Sequence, residues 1–228
     1  MTIRCIAFDL DDTLWDCQSV IEHAEQTMYR WLQAYYPVIS QRYPSLDSLV
    51  ASRIAYVGQY PELHHDLTTL RTGWLQQLLV ESAYDPAYAE QAFQVFWQAR
   101  NQVTFFPEVL PSLERLAQSY SLGVITNGNA DVHHIGIGHL FEFALNSAEA
   151  GVAKPHPAIF QQALNKLQLE PHQMVYVGDD PEKDVIGAQQ VGLRTIWFNA
   201  QQRERPLGLK PDAIMTNFAE IEALLKLL

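Results

Sequence analysis

The spacing of apolar positions changes twice along the chain. Ile3–Phe8 is almost wholly apolar, as expected of a strand buried on both faces. From residue 16 the period becomes helical. Val20, Ala24, Thr27, Met28, Trp31 and Tyr35 share one face, behind a Ser19–Glu22 pair with capping-box spacing. Leu46, Leu49, Val50, Ile54 and Val57 predict a second helix, Leu67, Leu70, Trp74 and Leu78 a third, and Ala89, Phe93, Phe96 and Trp97 a fourth. Pro37, Pro44, Pro61 and Pro86 punctuate them. Beyond residue 105 short runs alternate. Leu113–Ala117 predicts a helix, Leu122–Ile125 and Phe143–Leu145 strands, and Phe160, Ala163, Leu164 and Leu167 another helix. Met174–Val177 is a strand, followed by a helix with Pro181 near its start and Gly192 just past its end. Arg194–Phe198 and Ala213–Met215 are further strands, and Ala219–Leu228 closes as a helix. Such alternation predicts an α/β fold, a doubly wound parallel sheet formed by 1–15 and 106–228, with an all-helical insert over 16–105.

Composition supports the division. Residues 1–105 contain only Gly58 and Gly73 of the 11 glycines, so the insert is poor in the residue that marks βα turns. A length of 228 residues accommodates a sheet domain and a smaller helical one, and 48% apolar content excludes disorder. Charged residues are only 18%, and 20 Gln keep helix surfaces polar instead. A net charge of −11 without any Lys/Arg cluster argues against nucleic acid or an anionic membrane as partner. The first dozen residues do not read as a secretory signal, and no apolar run is long enough to cross a bilayer. Cys5 lies inside the first strand, where a buried free thiol is expected rather than a disulfide with Cys17. These features predict a soluble, cytoplasmic protein.

Ligands of an open parallel sheet bind beyond the carboxyl ends of its strands. Here those ends carry Asp9-Leu10-Asp11-Asp12-Thr13, Thr126-Asn127-Gly128 and Gly178-Asp179-Asp180-Pro181-Glu182-Lys183-Asp184, with Lys154-Pro155 before an intervening helix. Each alone is ordinary cap or turn chemistry. Together they bring Asp9, Asp11, Asp179 and Asp184 to one rim, where bare carboxylates repel. A divalent cation with oxygen ligands relieves that repulsion, and Mg²⁺ suits a few carboxylates, a backbone carbonyl and waters. Phosphoryl transfer uses such a cation, a further positive group such as Lys154, and neutral donors such as Thr126 and Asn127. A carboxylate can serve as nucleophile, and a second one two residues on can serve in acid/base work.

With these four motifs in order, the chain resembles the haloacid dehalogenase (HAD) superfamily of phosphohydrolases, whose core is Rossmann-like. The resemblance implies Asp9 as nucleophile and Asp11 as general acid, then base. Thr126 and Asn127 would bind the phosphoryl group and Lys154 would neutralise it. Asp9, the Asp11 carbonyl and Asp179 would hold Mg²⁺, with Asp184 in direct contact or one shell out. The helical insert would be a cap domain. Dehalogenases of the superfamily do without Mg²⁺ and lack the acid two positions after the nucleophile, so Asp11 implies a phosphatase; phosphomutases share the full set. Phe8–Leu14, Ile125–Ala130, Gly178–Val185 and the insert segment Glu62-Leu63-His64-His65-Asp66-Leu67…Arg71 are similar to bacterial FMN and riboflavin-precursor phosphatases. Nucleotidases and sugar-phosphate phosphatases are the alternatives.

Several residues carry a narrower expectation. Asp12 is read as a loop-fixing residue, Asp180 as a helix cap, and Asp66 as the cap of the helix that follows it. His65 is a substrate-contact candidate. Arg71 sits beside an apolar helix face, either paired within the insert or turned toward substrate. Trp15 could stack on a planar substrate or pack at the junction. His133, His134 and His139 lack the companions of a zinc site and read as a solvated face.

Overall fold

Six strands form one parallel sheet in the computed structural model, which describes residues 2–228. They are β1 (Cys5–Phe8), β2 (Ser121–Thr126), β3 (Phe143–Asn146), β4 (Met174–Gly178), β5 (Arg194–Phe198) and β6 (Ala213–Met215), in spatial order β3-β2-β1-β4-β5-β6. The order reverses between β1 and β4, which is where a doubly wound sheet opens a crevice. Four of the strands are apolar enough to be buried on both faces, as helices on each side of a parallel sheet require.

One row of the sheet is built from size complementarity. Phe143, Gly123, Ala7 and Tyr176 are successive register partners across β3, β2, β1 and β4. A Cβ on Gly123 would meet the Phe143 ring at 2.2 Å, so two small residues leave room for two rings. Ile159, Phe160, Ala163 and Leu164 of the helix Pro157–Leu167 pack on this face. On the other face Phe218 stacks on Phe8 and meets Phe198 edge-on.

The chain divides into two units. The sheet unit takes the chain through Asp16 and from Thr104 onward; Cys17–Val103 forms the other, which is helical. The helical unit contains α1 (Cys17–Tyr35), α2 (Pro37–Arg42), α3 (Leu46–Val57), α4 (Leu67–Glu81) and α5 (Ala89–Arg100). Its own core gathers Met28, Leu32, Trp74, Leu75, Leu78, Phe93 and Phe96. Helix α1 starts at Cys17, so the Ser19–Glu22 pair lies inside the helix and makes no capping box. Pro37 opens the short α2 instead of merely separating helices, because a proline at the first helical position forfeits no hydrogen bond. The segment after Pro181 is a wide π-type turn over Pro181–Ile186 before a short α-helix, Gly187–Gln189. Among the described residues no helix is long and apolar enough to cross a membrane.

Candidate active site

β1 and β4 are neighbours with Phe8 opposite Val177, so the residues just past their ends are brought together. Asp9 continues β1 and its N–H still donates to Val177 O (2.9 Å). Asp9, Asp179 and Asp184 each place a carboxylate oxygen within 4.8 Å of the others. The wide turn explains how Asp184 reaches this cluster. Asp180 O accepts from both Asp184 N (3.0 Å) and Val185 N (3.3 Å), and the Asp180 side chain caps Glu182 and Lys183 N–H. Asp184 thereby folds back over Gly178, where a Cβ would meet its carboxyl at 2.4 Å.

Lys154 enters from the loop before the Pro157–Leu167 helix and is 4% exposed. Its Nζ donates to Asp9 Oδ1 (2.7 Å), Asp184 Oδ1 (2.7 Å) and Tyr176 Oη (2.8 Å). The loop is fixed from β2: Asn127 Nδ2 donates to Lys154 O (3.0 Å) while Asn127 Oδ1 accepts from Lys154 N (2.8 Å). The Asn127 amide is thus engaged with the Lys154 backbone, and Ser147 Oγ donates to Asn127 O (3.1 Å). Thr126 is 2% exposed and its Oγ1 accepts from Gly128 N (3.1 Å), which leaves its hydroxyl proton available for donation.

The electrostatics follow from this crowding. Burial, reinforced by Asp184 and opposed by Lys154, pushes the Asp9 carboxyl up to about 8. Burial and then Asp184 push Asp179 up to about 7, with Arg203 acting against them. Burial disfavours the Lys154 charge, but Asp184 and Asp9 outweigh it and hold the ammonium protonated above its ordinary range. Arg203, absent from the sequence expectations, donates to Asp179 O (2.8 Å) and lies 3.4 Å from Asp179 Oδ2. Trp197 Nε1 also donates to Asp179 O (2.8 Å). Three acidic oxygens opposed by one buried lysine form a donor set that fits a hard divalent cation.

The remaining residues fall into place differently. Asp11 is partly exposed, and its Oδ1 accepts from Trp15 Nε1 (3.0 Å). Trp15 is fully buried and meets Phe105 edge-on at 5.8 Å, so stacking on a planar substrate is corrected: the ring has no open face. Asp12 adopts φ 59° with its N–H on Trp15 O (2.8 Å), the loop-fixing geometry expected of it. Asp66 caps α4 through Thr69 N (2.9 Å), and His65 beside it is half-buried. Arg71 is paired inside the helical unit. It lies 3.5 Å from Glu25 Oε1 and over the Phe96 ring at 3.5 Å, while Arg53 makes a 2.7 Å contact to the same Glu25 oxygen. Burial lowers the Arg71 guanidinium to about 9, and one of its Nη atoms has no hydrogen-bond partner. His133, His134 and His139 are exposed.

Known proteins match this arrangement over most of its length. A family model for haloacid dehalogenase-like hydrolases matches residues 3–192. The 5-amino-6-(5-phospho-D-ribitylamino)uracil phosphatase of Escherichia coli is 31% identical over 203 residues, 87% of this chain and 84% of that one. The glyceraldehyde 3-phosphate phosphatase of Methanopyrus kandleri is 31% identical over 204 residues, covering 85% and 83%. The crystal structure of a 2-haloacid dehalogenase from Pseudomonas syringae superposes with a TM-score of 0.91 at 38% identity over 99% of both chains. The sheet order, the clustered strand ends and these matches give one conclusion: the chain belongs to the haloacid dehalogenase-like hydrolase family.

Proposed function

We propose that this chain is a Mg²⁺-dependent phosphomonoesterase that hydrolyses a small organophosphate through an aspartyl-phosphate on Asp9. The observation that carries the reading is the Asp9 carboxylate held 2.7 Å from a buried ammonium, with Asp179 and Asp184 beside it. Asp9, the Asp11 carbonyl and Asp179 would hold the ion, with Asp184 in direct contact or one shell out. When bound, Mg²⁺ neutralises phosphoryl oxygens and lets a phosphate dianion approach these carboxylates. Asp9 then attacks phosphorus, and the ester oxygen departs with a proton from Asp11. Water, deprotonated by Asp11, attacks the phospho-aspartate, releasing inorganic phosphate and restoring Asp9. Lys154 balances the charge gathered on the transferring group, and the Thr126 hydroxyl with nearby N–H groups donates to its oxygens. Asn127 acts mainly by fixing Lys154, since its amide is engaged with that backbone.

Insertion directly after the Asp9 loop supports a cap role for the helical unit, with selection of the leaving group. The relatives favour a phosphorylated small molecule, with a ribitylamino-pyrimidine phosphate first and nucleoside or sugar phosphates next; FMN joins the first group on the motif resemblance alone. A dehalogenase reading draws on the 38% identity to the Pseudomonas syringae structure. Asp11 weighs against it, because halide leaves without needing a proton. Steady-state assays over these phosphates, and of halide release from 2-haloacids, separate the two. Mg²⁺-dependent phosphate release is expected; halide release alone would overturn the proposal. Hydrolysis of varied monoesters without an activating bisphosphate would count against a phosphomutase.

A further inference from the structure

Lys154 is held by three acceptors, and only two of them are carboxylates. The third, Tyr176 Oη at 2.8 Å, belongs to the middle of β4 and is 1% exposed. Its hydroxyl is directional. The phenol has one proton, and its 2.7 Å contact to Ile125 O takes it in preference to the 3.4 Å contact to Asp184 Oδ1. With that proton committed to a backbone carbonyl, the oxygen can meet the ammonium only as an acceptor. The ring reaches Ile125 on β2 by crossing β1, which it does over Ala7, its register partner. Phe160 holds the ring edge-on at 5.2 Å. A hydroxyl fixed by a carbonyl, a ring fixed by a neighbour and a small residue beneath it leave the acceptor no freedom.

We infer that Tyr176 is a positioning residue that holds the Lys154 ammonium in place through the reaction, by way of the Ile125 carbonyl–Tyr176 hydroxyl–Lys154 chain. The inference rests on the phosphatase reading. In that reaction the charge on Asp9 changes twice, from carboxylate to acyl phosphate and back. A lysine held only by Asp9 and Asp184 would shift toward Asp184 each time Asp9 loses its charge. Tyr176 is neutral throughout, so its hold on Lys154 does not vary. Its hydrogen bond to the carbonyl of Ile125, the residue before Thr126, also couples the lysine to the strand end that meets the phosphoryl oxygens. Removing the oxygen is therefore expected to weaken transition-state stabilisation while leaving ground-state binding nearly unchanged.

The test compares wild type, Tyr176→Phe and Tyr176→Leu, each with Mg²⁺ and a generic aryl phosphate, alongside thermal melts. Tyr176→Phe retains the ring and its contact with Phe160. Its kcat is expected to fall roughly 10- to 100-fold, the range seen when an outer partner of a site residue is removed, with KM within about threefold. Its Tm should stay close to wild type. Tyr176→Leu should lose the same kcat and, lacking the ring, also melt lower. Should Tyr176→Leu fail to fold, Tyr176→Phe decides alone. Unchanged kcat in a folded Tyr176→Phe beside an active wild type would overturn the inference and leave the phosphatase reading intact. Absence of Mg²⁺-dependent hydrolysis in wild type would overturn both.

Discussion

At the scale of single residues, the site depends on groups whose neighbours fix their direction. Asp11 is one: Trp15 Nε1 donates to it, and the Trp15 ring is locked in the interior. Trp15→Phe keeps a buried ring and removes the donor. It is expected to reduce kcat by about tenfold with a small change in Tm, as for other orienting partners; rates and melts on the same preparation check this. The carboxylates, Lys154 and Thr126 were legible in the sequence because apolar strands stop abruptly where polar groups begin. Tyr176 and Arg203 were not. Tyr176 reads as one more apolar strand position, and its contact with Ile125 spans 51 residues. Arg203 meets Asp179 across 24, from a loop without periodic pattern. Trp15 packs against Phe105, a partner hidden from the sequence because all the intervening helices lie between them.

Among the elements, the strands and the longer helices follow their apolar periods closely, whereas ends and irregular turns do not. The start of α1 at Cys17 and the π-type turn after Pro181 depend on which carbonyls are free to accept, a choice no side-chain pattern records. The helical unit has a comparable hidden feature. Glu25 of α1 meets Arg53 of α3 and Arg71 of α4, and Arg71 lies over Phe96 of α5, so one buried acid ties four helices together. Glu25→Gln would leave buried guanidinium charge unmatched, and a loss of about 3 kcal/mol is expected. A urea titration followed by helical circular dichroism measures it. A midpoint equal to wild type would mean that aromatic packing alone holds these helices.

Across the whole molecule, a net charge of −11 says little about the site, where the carboxylates that matter are few and face a buried lysine. They leave a signature in stability. Asp9 and Asp179 are raised from 3.8 to about 8 and about 7 in the folded protein. Between their unfolded and folded values the native state holds protons that the unfolded chain has released. Their stabilising contribution is therefore complete below about pH 4 and lost as pH rises through 7 to 8. In EDTA, Tm should fall between pH 5 and 8, and Asp179→Asn should flatten the decline. Added Mg²⁺ should raise Tm more at pH 8 than at pH 5, because the ion binds the ionised carboxylates. Equal Mg²⁺ shifts at both values would contradict this account of the cluster.

The proposed chemistry turns on a covalent intermediate on one carboxylate. Rapid acid quench of the protein with Mg²⁺ and a labelled aryl phosphate, followed by peptide mapping of the label, tests it most directly. Transient phosphate is expected on the peptide containing Asp9, and none in Asp9→Asn. Label on another residue, or full turnover by Asp9→Asn, would contradict it.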